Sequence, residues 1–209
     1  MLRSSIAFVL ALFAFVAAQP AGAGAPKRAE LFPNATAVKV YINESGEAKL
    51  DARVMRDFKT LTPDAVPAAG FALSAAQVGQ VKRAFTKATG DQAIGACFFP
   101  RHGFVFTDAA GNVVGTLDVC FECTNYSIDA PGYREKEKAI YDRHKQPDDG
   151  WDEKIARKAA AEVNKLRAAF NMPPTDAPID WKGLEALVAA ADMPTAPKPA
   201  DYSRLRAAN

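Results

Sequence analysis

Residues 96 to 126 read ACFFPRHGFVFTDAAGNVVGTLDVCFECTNY. Phe104 and Phe106 precede the turn residues Ala109, Ala110, Gly111 and Asn112, and Val113, Leu117, Val119 and Phe121 follow them. Apolar residues alternating on both sides of a Gly/Asn turn predict two antiparallel strands joined as a hairpin. Pairing Asp108 with Val113 across the turn sets Phe106 opposite Gly115, Phe104 opposite Leu117 and His102 opposite Val119. These pairs form one apolar face. Because strand side chains alternate, Val105, Thr107, Thr116, Asp118, Cys120 and Glu122 fall on the other.

The same segment holds all three cysteines and one of the two histidines of the chain. Carried back from the turn, the pairing brings Cys97 near Cys123, with Pro100 interrupting regular pairing. Three chemistries fit. Cys97, His102, Cys120 and Cys123 follow the pattern C-x4-H-x17-C-x2-C, and three thiolates with one imidazole suit a closed tetrahedral zinc site. Alternatively, Cys97 forms a disulfide with Cys120 or Cys123, which suits an oxidising compartment and leaves one cysteine over. The third reading is redox catalysis by the Cys120/Cys123 pair. Against that, a reactive dithiol is usually placed at a helix N-terminus, whereas LDVCFECTN ends a strand, and Asp118 and Glu122 would raise a neighbouring thiol's pKa. A hydrolase built on Cys97 with His102 or His144 lacks any marked oxyanion hole or orienting third residue.

A Cys-aromatic-x-Pro-Arg-His start and a Cys-Phe-x-Cys end bracketing a hairpin resemble a segment of uncharacterised exported bacterial proteins. With the preceding helix, the resemblance covers about a quarter of the mature length. It implies that the segment is one unit, and it carries over no activity and no catalytic residue.

Outward from the hairpin, residues 36 to 43 alternate Val38, Val40 and Ile42 with Lys39 and Tyr41 and predict a strand. Residues 44 to 47 make a turn, 48 to 58 a returning strand, and the Pro-punctuated residues 61 to 70 a loop. Ser74 and Gln77 have capping-box spacing ahead of Val78, Val81 and Phe85, and Gly90 is placed to end that helix. A helical turn is expected around residues 135 to 141. Trp151, Ile155, Ala159, Val163, Leu166 and Phe170 mark a long amphipathic helix stopped by Asn171 and Pro173. Asp180 caps a shorter helix carrying Leu184, Leu187 and Val188.

Strands that precede helices favour an α+β fold: an antiparallel β-sheet with hairpins packed against two or three helices. The expected organisation is a signal peptide over 1–23, a linker over 24–35, a single α+β domain over 36–191, and a flexible Pro/Ala-rich tail over 192–209. Arg3, the thirteen apolar residues from Ile6 to Ala18, and the small residues Ala21, Gly22 and Ala23 have the order of a secretory leader. The run is shorter than the roughly 20 residues that span a bilayer. A soluble periplasmic or secreted protein is therefore expected, with no stable membrane insertion after cleavage. Removing the leader takes away Arg3 alone among charged residues and lowers the formal charge from +2 to +1. Lys and Arg are interspersed with acids, which argues against a nucleic-acid partner.

The remaining candidates have plainer readings. Arg101 could touch an anionic ligand, but an ion pair with Asp118 or Glu122 accounts for it. His144 lies in a polar connection and is expected to be exposed. Asp148, Asp149, Asp152 and Glu153 lack the spacing of a calcium loop and suit a helix N-terminus. Asn34, Asn43 and Asn125 stand in N-x-S/T sequons, to which the bacterial-looking leader assigns no glycan. The functional expectation is a non-enzymatic binding or accessory protein, of unknown ligand or protein partner, whose Cys/His cluster is structural. Its cofactor, if any, would be zinc, and the alternative is a thiol-dependent redox protein or enzyme.

Overall fold

The computed structural model describes residues 30–44, 53–86, 99–145, 152–175 and 177–207 of the 209. The expected signal peptide, Cys97, Gly90 and Trp151 lie outside the described residues. The chain is α+β. Five strands, β1 (Ala37–Asn43), β2 (Ala65–Ala72), β3 (His102–Thr107), β4 (Val113–Cys120) and β5 (Asn125–Asp129), make one antiparallel sheet ordered β2-β1-β3-β4-β5. The helices are α1 (Ala75–Lys82), α2 (Tyr133–Arg143), α3 (Glu153–Ala169), α4 (Trp181–Ala190) and α5 (Pro199–Ala207).

The central hairpin has the register the side chains predict, with His102, Phe104 and Phe106 opposite Val119, Leu117 and Gly115. A shift after Phe106 then sets Thr107 opposite Val113. Asp108 closes the turn, its carboxylate accepting the backbone N–H groups of Ala110 and Asn112. Gly115 is required by packing: a Cβ there would stand 2.0 Å from the Phe32 ring. That ring also meets Phe106 edge to face at 5.1 Å. Residues 30–35 are thus part of the core and not linker, since Leu31 and Phe32 are buried apolar side chains.

The partner of β1 is not residues 48–58. Residues 45–52 lie outside the described set, and 53–62 form an excursion with one isolated bridge, Met55 to Leu61. The second strand is β2, in the stretch that its proline marks as loop. Pro67 is accommodated because β2 is an edge strand. The register is interrupted between Val40 and Ile42, where Gly70, at φ 68°, passes the Tyr41 ring. A Cβ at Gly70 would stand 2.5 Å from that ring, so both the space and the positive φ call for glycine.

One sheet face carries the main core, with Val38, Val40, Phe104, Leu117 and Ile128 under side chains of the helices. Helix α1 starts at Ser74 with a complete capping box, contributes Val78 and Val81, and ends at Lys82 well before Gly90. Helix α4 is capped by Asp180 and buries Leu184, Leu187 and Val188. Helix α3 is capped by the Asp152 carboxylate. It packs chiefly on α2 and reaches the core only at its C-terminal end, through Leu166 and Phe170.

The expected flexible tail over 192–209 is ordered structure through residue 207. Met193, Tyr202 and Leu205 are buried, and α5 covers the β2 edge. Proline and alanine suggest mobility only where nothing apolar is spaced to dock, and Tyr202 and Leu205 share one helical face. Among the described residues no helix is long and apolar enough to cross a membrane.

Candidate functional site

The structure divides the expected Cys/His cluster between the two faces of the sheet. His102 is fully buried on the helix-covered face. Its Nε2 lies 2.9 Å from the carbonyl oxygen of Pro194, and its ring meets Phe121 edge to face at 4.9 Å. Burial holds its pKa down to about 4, against a smaller upward pull from the Pro194 carbonyl. A carbonyl only accepts, so the neutral ring carries its proton on Nε2. Nδ1 is buried with no hydrogen-bond partner among the described residues.

Cys120, opposite Asn125 at the end of β4, faces the other way. The chain then turns, Phe121 goes to the helix side beside Trp181, and the Cys123 N–H donates to Cys120 Sγ at 3.2 Å. The two cysteines are 1% and 8% exposed, and no disulfide joins them. Among the described residues no three His, Cys, Asp or Glu side chains converge as metal ligands. For the zinc reading the obstacle is the pleat: His102 and Cys120 cannot share a face while His102 pairs with Val119. Arg101 bridges Glu122 at 3.0 Å and donates to the Pro197 carbonyl at 3.1 Å, which ties the cysteine turn to the C-terminal segment. His144 is half-buried against Glu162 at 2.8 Å and is not a solvated side chain.

The second face of the sheet carries a polar group that the spacing of the cysteines does not reveal. Val54 sits where Gly103 has no side chain; a Cβ there would be 2.3 Å away. Its N–H donates to Asp118 Oδ1 at 3.3 Å. Asp118 is 1% exposed and its Oδ2 has no partner among the described residues. Burial raises its pKa to about 6, partly offset by Arg53 and the Val54 N–H. Asp129, also pushed upward by burial and pulled back by Arg134, binds Arg134 and lies 3.6 Å from Arg53. Arg53 in turn donates to Ser127 at 3.0 Å.

These groups adjoin a cleft of about 670 Å³ between the 53–59 excursion, the β3–β4 turn and residues 129–135. That size falls within the roughly 300–1,000 Å³ of small-molecule sites. The alternation places Asp118 on the face away from the main apolar side, and its burial there comes from the Val54 segment, which the hairpin sequence does not show. Asp129, Arg53 and Arg134 come from three separate segments, and only the fold brings them together.

No family model matches this chain, and no curated protein or solved structure matches it.

Proposed function

We propose that this chain is an exported, non-enzymatic binding protein in which the cysteine segment is structural and the ligand site is the cleft beside Arg53, Asp129 and Arg134. The observation that carries this reading is the separation of the two features. His102, Cys120 and Cys123 are all buried members of the fold: His102 bonds the Pro194 carbonyl, and the Cys123 N–H donates to Cys120 Sγ. The cleft of about 670 Å³ is lined by other residues. A thiol enzyme needs an accessible thiolate, so the shielding of both sulfurs supports a structural role over the redox alternative. Zinc or a disulfide would need Cys97, and neither is required for the cleft reading.

The test is an NMR screen of the purified protein with a library of small neutral, cationic and anionic fragments. Binding shifts confined to residues 53–59, 111–116 and 129–135 are expected. Shifts centred on Cys120 to Cys123 with the cleft silent would contradict the proposal.

A further inference from the structure

The cleft has a chemical bias that narrows its ligand class. Four cations, Arg53, Arg56, Lys59 and Arg134, line it together with three carboxylates, Asp57, Asp129 and Glu135. Two of the carboxylates are already committed. Asp129 holds Arg134 and accepts the Ala130 N–H, and Asp57 accepts the backbone N–H groups of Lys59 and Thr60. By contrast, among the described residues Arg56 and Lys59 form no side-chain ion pair, and Arg134 engages Asp129 through Nε, which leaves its two Nη groups as donors. Helix α2 opens on the same cleft at Gly132, an N-cap without a side chain, so no side-chain acceptor caps its first turn. A Cβ at Gly132 would meet nothing within 4 Å. The Tyr133 N–H already donates to the Ala130 carbonyl at 3.0 Å and Glu135 lies in the first turn; the positive end of the helix dipole still adds to the cations gathered there from another segment. Met55 and Phe58 add apolar surface to the same wall.

Resting on the cleft reading above, we propose that the ligand is a small organic anion, its carboxylate or phosphate held by Arg134, Arg56 and Lys59 beside the open start of α2 and its apolar part on Phe58 and Met55. Charge-assisted and bidentate bonds from arginine favour these two headgroups.

The test is a titration of the purified protein followed by amide NMR, with inorganic phosphate and with benzoate as probes. Saturable shifts at Lys59, Arg134 and Glu135 are expected, weakening as salt rises. Tighter benzoate assigns a carboxylate with an apolar body; tighter phosphate assigns a phosphate headgroup. Arg134→Gln and Arg56→Gln, both at exposed positions, should each weaken binding by about tenfold or more, and Lys158→Gln on α3 should leave it unchanged. Unaltered affinity in both arginine variants, or no saturable shift with either probe, overturns the anion assignment. If neutral or cationic fragments still map to the cleft in that case, the binding-site reading stands and only the ligand class falls.

Discussion

The imidazole of His102 on β3 bonds the carbonyl of Pro194, 92 residues later in the chain, at 2.9 Å. This bond joins the central hairpin to the segment leading into α5. Either protonation state of the ring can make it, and it is the complete burial of the ring that favours the neutral form. Because burial depresses the pKa from 6.5 to about 4, the unfolded chain binds the proton more readily. The stabilisation is therefore complete above pH 6.5 and is lost as pH falls toward 4. His102→Gln, which can still donate to the carbonyl, should remove that acid-side slope from urea midpoints recorded across the interval. Its cost at neutral pH is about 1–3 kcal/mol.

Asp118, on the opposite face of the same strand pair, has the reverse linkage. Its pKa is raised from 3.8 to about 6, so its contribution is present below pH 3.8 and is lost as pH rises through 6. Asp118→Asn keeps an acceptor for the Val54 N–H and should raise stability at pH 7 by about 1–3 kcal/mol. The variant should also unmask a steeper acid-side loss due to His102, because the two slopes oppose each other between pH 4 and 6 in the parent protein. Difference profiles, variant against parent, isolate each group from the remaining carboxylates.

Two glycines lock the layers. A Cβ at Gly115 would enter the Phe32 ring and one at Gly103 the Val54 side chain. Each alanine substitution should cost about 1–3 kcal/mol from overpacking. Hydrogen exchange should separate them, with Gly103→Ala loosening residues 53–62 and Gly115→Ala loosening residues 30–35.

Removing residues 199–209 should lower the melting temperature, because Tyr202 and Leu205 are buried and α5 covers the β2 edge. Losing the burial of those two side chains forfeits about 1.5–3 kcal/mol each. A mobile tail would be removed without effect, so an unchanged melting curve would show that α5 does not dock.

The hairpin register was legible because period-two alternation and a Gly/Asn turn agree with each other, and the Ser74, Asp152 and Asp180 caps were legible because each serves its own first turn. What escaped depends on distant partners. Strand β2 is hidden by Pro67 and by the irregularity at Gly70, where the strand passes the Tyr41 ring. The C-terminal segment docks through Met193, Tyr202 and Leu205, a sparse apolar set within a Pro/Ala-rich stretch, and through the carbonyls of Pro194 and Pro197, which no side-chain pattern shows. At the cysteines, proximity along a hairpin was readable, while convergence failed on alternation: one residue of phase puts Cys120 behind the sheet from His102.

The structural role of the cysteine turn is tested by iodoacetamide labelling of the native and urea-unfolded protein, with each cysteine followed by peptide mass. Cys120 and Cys123, at 1% and 8% exposure, should label in the native state at least about a hundredfold more slowly than in the unfolded chain, since reaction requires an opening event. Native labelling of either sulfur at the unfolded rate would contradict the account and return the Cys120/Cys123 pair to the position of a working thiol site.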